Sequence, residues 1–432
     1  MSRPASPPGN LGAQLLFLAI GCFYWITQTP FVDLSTNPAL AKPAWWSQVL
    51  TVLVFLTLLS YAARSPARHA LMQPRALLVA LFGWLAVTAA VSAEPADALR
   101  KVAIALTIAV SASVFLMLPR DERQFGRLFA TLIAIVLGLC YFGVIFLPRL
   151  AIHQPTDFLE PFHAGLWRGL YVQKNEAAAV MVLTSFVGLY VAKTWSRPAG
   201  LLLVAAALVF LVKTDSKTSM ALLPVILVLA AVFERWRGLR LPMALGGVLA
   251  LNLGTVGVVA FPTVRALVAA TGIDPTFTAR SDIWKLALSA IAQKPLTGHG
   301  LQAFWQSPAL VGSDLRTQTW ATAAVDAHNA YLDAMVTAGI PSLVLLLAWV
   351  LWTPLRDFNA AERAGNVTPL TRLFLRIWLF TIFQACLESI FLQTSGAGWF
   401  TFLVAIFGLR YQARYALRPL AMPEGRHAVA YG

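Results

Sequence analysis

The chain has 432 residues, of which 58% are apolar and 12% charged. Soluble globular proteins carry about 25% charged residues, so a chain of this length with half that content cannot cover a water-facing surface. A soluble enzyme, a disordered chain and a disulfide-stapled secreted domain are all disfavoured, which leaves a polytopic α-helical membrane protein. The net charge of +14 would suggest nucleic acid in a soluble protein; here it serves to fix orientation in a bilayer, and no nucleic-acid partner is expected. Cys22, Cys140 and Cys386 lie far apart in apolar stretches and form no metal-ligand spacing.

A spanning helix needs roughly 20 mostly apolar residues. In chain order, apolar runs between charge or proline clusters fall near 11–28, 45–63, 76–92, 102–118, 128–147, 176–192, 199–212, 218–233, 242–261, 330–352, 373–392 and 396–413. The first is expected to stay on the protein, because Trp25 and Thr27-Gln28-Thr29-Pro30 follow it where a signal peptide would have a small-residue cleavage site. Two runs are weak as spans: 199–212 is short, and 373–392 contains Arg376 and Glu388. Placing the N-terminus inside puts 19 Lys and Arg on the inner side and 8 in the short outer loops, the asymmetry of a positive-inside protein. The expected organisation is one transmembrane domain over 1–432, with outer segments at 149–175 and 261–329 and an inner tail at 414–432.

The inner loops are short, and neither an Asp-x-Asp pair nor a G-x-x-x-x-G-K-[ST] loop occurs. A metal-dependent sugar-nucleotide transferase and an ATP-driven pump are therefore disfavoured, and any chemistry belongs on the outer face. There, Ile283, Trp284, Ala287, Leu288 and Ile291 recur at helical spacing and Lys294-Pro295 ends the run. The pattern predicts an amphipathic helix on the membrane surface with Trp284 in the headgroup zone, unless it is a scaffold helix that covers the bundle. Arg280 stands at its start, where a guanidinium and free N–H groups could receive a phosphate or diphosphate. Thr297-Gly298-His299-Gly300 reads as a tight turn with an exposed histidine.

At the far end of the loop, Asp326-Ala327-His328-Asn329 opens the tenth run. Asn329 reads as a helix cap and His328 either as an interfacial polar residue or as a general base, since imidazole takes a hydroxyl proton near neutral pH. Trp167-Arg168 and Gln173-Lys174-Asn175 close the shorter outer segment, and Lys213, Asp215 and Lys217 sit between the seventh and eighth runs. Charges flanked by apolar helix are costly unless they face one another or a wet cavity. They form either a snorkelling pair or a cationic wall for an anionic substrate. An ion pair between Arg376 and Glu388 is disfavoured by their spacing of three turns and more.

His328-Asn329-Ala330-Tyr331-Leu332 followed by Ala338-Gly339-Ile340-Pro341 resembles the O-antigen ligase and Wzy-type polysaccharide polymerase superfamily. Arg280-Ser281-Asp282-Ile283-Trp284, Lys294-Pro295-Leu296-Thr297-Gly298-His299-Gly300, Lys174-Asn175 and Ser216-Lys217-Thr218-Ser219 are similar to further landmarks of that family. The resemblance implies an all-α polytopic protein of about 12 transmembrane helices, GT-C-like, in a bacterial inner membrane with both termini cytoplasmic and the site periplasmic. It implies a metal-independent, inverting glycosyltransferase without a cofactor, whose donor is a glycan on undecaprenyl diphosphate. The Ser-Lys-Thr-Ser and Gln-Lys-Asn stretches look closest to exopolysaccharide polymerases. His328 takes the place of the family base and Arg280 that of the loop arginine. Lys217 stands where the family has a second arginine, giving a point charge in place of a bidentate fork. Arg280 and Lys217, with Arg168 and Lys174, would hold the diphosphate, supported by Asn329, Trp284, Asn175 and Asp326. A chain-length regulator and a flippase of the same pathway are the implied protein partners. The alternatives are an O-antigen ligase, which uses the same donor and another acceptor, and a lipid-linked oligosaccharide flippase, which would show two related halves with small outer loops.

Overall fold

In hydrocarbon every backbone polar group must find its partner within the segment, which leaves helices as the form available to such apolar runs. Each of the twelve runs falls on helix for most of its length. The computed structural model describes residues 11–27, 29–35, 45–65, 68–158, 161–277, 280–313 and 319–414; the expected tail beyond 414 and the basic residues Arg3, Lys42, Arg316, Arg418 and Arg426 lie outside them. The principal helices are α1 (Leu11–Trp25), α2 (Trp45–Arg64), α3 (Arg75–Ala90), α4 (Pro95–Phe115), α5 (Glu122–Phe146), α6 (Lys174–Thr194), α7 (Arg197–Thr214), α8 (Lys217–Arg235), α9 (Gly247–Thr255), α10 (Arg280–Gln293), α11 (Ala330–Leu347, running on to Arg363), α12 (Pro369–Gln384) and α13 (Ala397–Arg414), with short helices such as Pro262–Ala270 between them. Among the described residues there is no strand, only an isolated antiparallel bridge between Ile152 and Trp167.

Among the described residues, six helices are long and apolar enough to cross a membrane: α4 to α8 and the Ala330–Arg363 helix. The short run at 199–212 extends to an 18-residue helix, because the Ser196 side chain accepts from the Ala199 N–H and Pro198 occupies the first turn, where its missing N–H costs nothing. The run at 373–392 shortens instead. Its helix starts at a Thr368–Thr371 capping box and ends at Gln384, so Glu388 lies in a connecting loop and not in a span.

Around α12 and α13 the core is fully buried, with Trp378, Phe374, Phe400 and Phe407 inaccessible or nearly so. Phe17, Phe115, Phe125 and Phe129 extend it towards α1, α4 and α5 in edge and stacked contacts 4.0–6.4 Å apart. The end of the bundle formed by the α8–α9 and α11–α12 connections is clamped by acids. Arg240 donates to both carboxylate oxygens of Glu362 at 2.7 and 2.8 Å, Arg372 pairs with Glu234 at 2.7 Å, and Arg410 with Asp357 at 2.8 Å. Arg376 is not paired with Glu388; its Nε is buried without a partner.

One break matters for the opposite end. Within α11, Ala338 and Gly339 leave helical geometry and Pro341 follows. The carbonyls released there are taken up by other segments: Val336 by the His299 N–H and Thr337 by the Gly300 N–H, both at 2.8 Å, and Ala338 by the Trp84 indole N–H at 2.8 Å. The Thr297–Gly300 turn is therefore a backbone splint for the broken helix. His299 is half-buried against Phe304, with Nε2 3.0 Å from the Ala290 carbonyl, rather than exposed.

Candidate functional site

His328 owes its position to a local turn. The Asp326 carboxylate accepts from the His328 backbone N–H at 2.8 Å, and His328 sits at φ +47°, a left-handed conformation that Asn, Asp and His reach more readily than other side chains. Asn329 then caps α11: its Oδ1 accepts from the Tyr331 and Leu332 N–H groups at 3.0 Å, while its Nδ2 donates to the Asn252 Oδ1 at 2.8 Å and the Cys386 carbonyl at 2.9 Å. With Asn329 fully buried, the start of α11 is locked to α9 and to the end of α12. Non-glycine residues held in this region cluster at sites where the surroundings over-determine them.

The loop after α12 brings Glu388 to the imidazole. Its Oε2 lies 3.3 Å from His328 Nδ1, and its Oε1 accepts from Arg280 Nη2 at 3.0 Å. Arg280 Nη1 donates to the Leu387 carbonyl at 2.5 Å. The result is a continuous chain of guanidinium, carboxylate and imidazole. Burial alone would raise the Glu388 pKa, but Arg280 and His328 hold it down to about 2. Burial disfavours imidazolium at His328, but the Glu388 and Asp326 carboxylates outweigh it and leave the pKa above its ordinary value, with Arg280 opposing. A carboxylate at Nδ1 fixes the tautomer that keeps the proton there and leaves the Nε2 lone pair for an incoming proton.

A third carboxylate stands behind these. Asp333, in the first turn of α11, accepts from Trp305 Nε1 at 2.8 Å and from the Ala327 N–H at 3.2 Å, and binds the Ser389 hydroxyl. Trp284 does not reach a headgroup zone. It is fully buried and donates to the Ala327 carbonyl at 3.1 Å, because the indole N–H needs a partner once its ring is packed against Val258, Leu332 and Val336. Helix α10 is thus a scaffold that sets Arg280, with its apolar face covered by protein rather than lipid.

The remaining cations form a separate group. Lys174 Nζ donates to the Asp215 carbonyl at 3.2 Å, and Ser216 Oγ lies 3.0 Å from Asn175 Oδ1, so the Gln-Lys-Asn and Ser-Lys-Thr-Ser stretches meet where α6 and α8 begin. Lys217 is exposed at the first position of α8. Arg168 is fully buried and donates to the Tyr171 and Val32 carbonyls at 3.0 and 2.7 Å; it pins its loop instead of facing a ligand. Among the described residues no contact joins Arg168, Lys174 or Lys217 to His328. The link is indirect: the loop carrying Glu388 runs on to Gly396, whose Cβ position lies 3.6 Å from Glu176 Oε1 in the first turn of α6. Two cavities flank this loop. One of about 230 Å³ is lined by Glu176, Thr27, Thr51 and Ser395, the other of about 350 Å³ by Asp326, Asp333, Trp305, Gln302 and Gln393, and Thr394 lines both.

Sequence reasoning singles out His328, Arg280, Asn329 and Asp326, which the fold brings together, and misses Glu388, Asp333, Trp305 and Asn252. For Glu388 a signal exists: an acid inside an apolar run is expensive and is a functional hypothesis by default.

Fold and site together define a polytopic all-helical membrane protein with a guanidinium–carboxylate–imidazole chain at one end of its bundle. Residues 199–347 match the family model described as O-Antigen ligase. The exopolysaccharide production protein ExoQ of Rhizobium meliloti (strain 1021) is 24% identical over 178 residues, and the match covers 39% of this chain and 39% of that protein. The two matches support the O-antigen ligase and Wzy-type superfamily that the motifs resemble. The segment matched by the family model contains Lys217, Arg280 and His328; Glu388 lies outside it.

Proposed function

We propose that this protein is a metal-independent, inverting glycosyltransferase of the bacterial inner membrane, acting at the periplasmic face. It moves a growing glycan from undecaprenyl diphosphate onto a lipid-linked repeat unit, building exopolysaccharide. The observation that carries the reading is the chain Arg280–Glu388–His328, in which one carboxylate orients both a cation and a base. The relative named for exopolysaccharide production supports polymerisation, and the O-Antigen ligase description supports the second reading, transfer of the same chain to lipid A core.

In the proposed reaction His328 Nε2 takes the proton of an acceptor hydroxyl as that oxygen attacks the anomeric carbon from the face opposite the leaving group. The C–O bond to the diphosphate breaks with its electron pair, and the new glycosidic bond has inverted configuration. Arg280 stabilises the charge that develops on the leaving diphosphate; fixed cations aimed at such charge are usually the largest single catalytic contribution. The lysines at the starts of α6 and α8 supply positive charge next to helix N-termini that no N-cap side chain caps, the environment that favours phosphate.

The test is polymer formation by purified protein in lipid, with lipid-diphosphate-linked saccharide as donor and acceptor. His328→Ala should lower the rate by about 10²–10⁴. Arg280→Ala should abolish product and Arg280→Lys should restore little of it, because lysine cannot reproduce the fork that holds Leu387 and Glu388 and then receives a phosphate. Wild-type rates in both alanine variants would remove the reading, and product on lipid A core alone would select the ligase.

A further inference from the structure

The 350 Å³ cavity beside Asp326 is of the size that binds small ligands, roughly 300–1,000 Å³, and its chemistry differs from that of Arg280. Its polar lining consists of the side-chain amides of Gln302, Gln306 and Gln393, the hydroxyls of Thr337 and Thr394, and the carboxylates of Asp326 and Asp333. Its one cation among the described residues, Lys101, is already spent on Asp97 at 2.6 Å and the Gln302 carbonyl at 2.8 Å. A diphosphate would meet two carboxylates there and a lysine already paired. A ring bearing several hydroxyls would meet acceptors, donors and two aromatic walls, Trp305 and Phe391.

The contacts of the Gln302 amide are also exchangeable, whereas Gln306 Nε2 is held by the Ala323 and Ala324 carbonyls at 2.7 and 3.1 Å and Gln393 Nε2 by the Ser389 carbonyl. Gln302 Nε2 reaches Gln393 Oε1, and Thr394 Oγ1 reaches Gln302 Oε1, each at 3.4 Å, beyond the 2.7–3.2 Å of well-made bonds. A ligand hydroxyl at normal distance would replace either contact without leaving a group unpaired. Asp326 connects the cavity to the base, since it lines the one and holds the backbone of His328.

We infer that this cavity is the acceptor subsite: it takes the uncharged, hydroxyl-rich sugar ring that presents its hydroxyl to His328, while the diphosphate lies on the Arg280 side of Glu388. The inference rests on the glycosyl-transfer reading above and assigns the second substrate of that site.

The probe is the saccharide released by mild acid from the lipid-linked repeat unit of the producing cells, which lacks the diphosphate. Its binding to the full-length protein in lipid nanodiscs is read by saturation-transfer NMR. The wild type should bind it, Arg280→Ala should bind it equally, and Gln393→Ala combined with Gln302→Ala should weaken binding at least tenfold. In turnover the double variant should raise the acceptor KM with donor KM unchanged, and Gln393→Asn should recover part of the loss. Equal binding by the double variant, or binding that disappears in Arg280→Ala, overturns the subsite. Loss of activity in His328→Ala with unaltered saccharide binding in the double variant would defeat the subsite and leave the catalytic reading standing; full activity in His328→Ala and Arg280→Ala would defeat that reading on its own.

Discussion

Glu388 is the residue on which the proposed chemistry turns, and its effect has a sign. On the proposed reaction His328 works as a base only when neutral, so activity should fall as pH drops through its pKa, and that pKa is raised above the ordinary value by the Glu388 and Asp326 carboxylates against burial. Glu388→Gln removes the anion that favours imidazolium, so the acid limb of the rate profile should move to lower pH. Arg280→Lys keeps the charge and should leave the limb near its wild-type position at low residual rate. A pH–rate profile of the reconstituted enzyme decides this; a limb that moves upward in Glu388→Gln would show that the carboxylate does not act on the imidazole. The stability effect of Glu388 runs the other way. Its folded pKa is depressed to about 2, so its contribution is complete above the unfolded value near 4.3 and is lost as pH falls towards 2. None of this is legible in the chain order, because Glu388 is 60 residues from His328 and 108 from Arg280. Local patterning reports neighbours at three and four positions, not pairings across such distances.

At the scale of elements, periodicity and apolar runs place the helices well and their roles less well. The run at 373–392 looks continuous because Ile390, Phe391 and Leu392 follow Glu388, yet the chain turns at Ala385–Leu387, and Phe391 packs from the loop against Trp399 and Phe402 of α13. The stripe at 283–291 is legible as one face of a helix, but composition cannot say whether lipid or protein covers that face; the Ala327 carbonyl that accepts from Trp284 decides it. The Gly-Ile-Pro step has a physical reason that the motif alone does not show. Gly339 has φ +73°, and a Cβ there would collide with the Leu296 carbonyl oxygen, just ahead of the splint. Gly339→Ala should therefore cost more than about 2 kcal/mol, seen as a lowered thermal midpoint in nanodiscs together with loss of activity. Gly83→Ala in α3, where nothing lies within 4 Å, should leave the midpoint unchanged or slightly raised. Equal midpoints for the two variants would mean that the splint does not hold α11.

Over the whole molecule, the two ends of the bundle divide the labour. One end ties helices together with arginine–acid clamps, among them Arg240, only 2% exposed and bidentate to Glu362. Arg240→Ala removes two bonds to Glu362, which keeps its 2.8 Å pairing with Arg237, and should destabilise the protein by about 1.5–3 kcal/mol, the range for hydrogen bonds to charged groups, without altering the pH profile of transfer. A profile that shifts with Arg240 would show that the ends are coupled. The other end carries Glu388 and His328 on connecting segments beside the first turns of α10 and α11, which hold Arg280 and Asp333. Arg280 holds Glu388 at 3.0 Å, and on the proposed reaction a phosphate competes for its guanidinium. Once a phosphate takes that fork, the freed carboxylate has only the imidazole left to hold, and the base strengthens. On the proposed reaction the contact acts as an interlock: His328 gains its full proton affinity after the lipid donor has seated, which discourages idle attack on an empty site. The acid limb of kcat should then lie at higher pH than that of kcat/KM, the two reporting loaded and unloaded protein respectively.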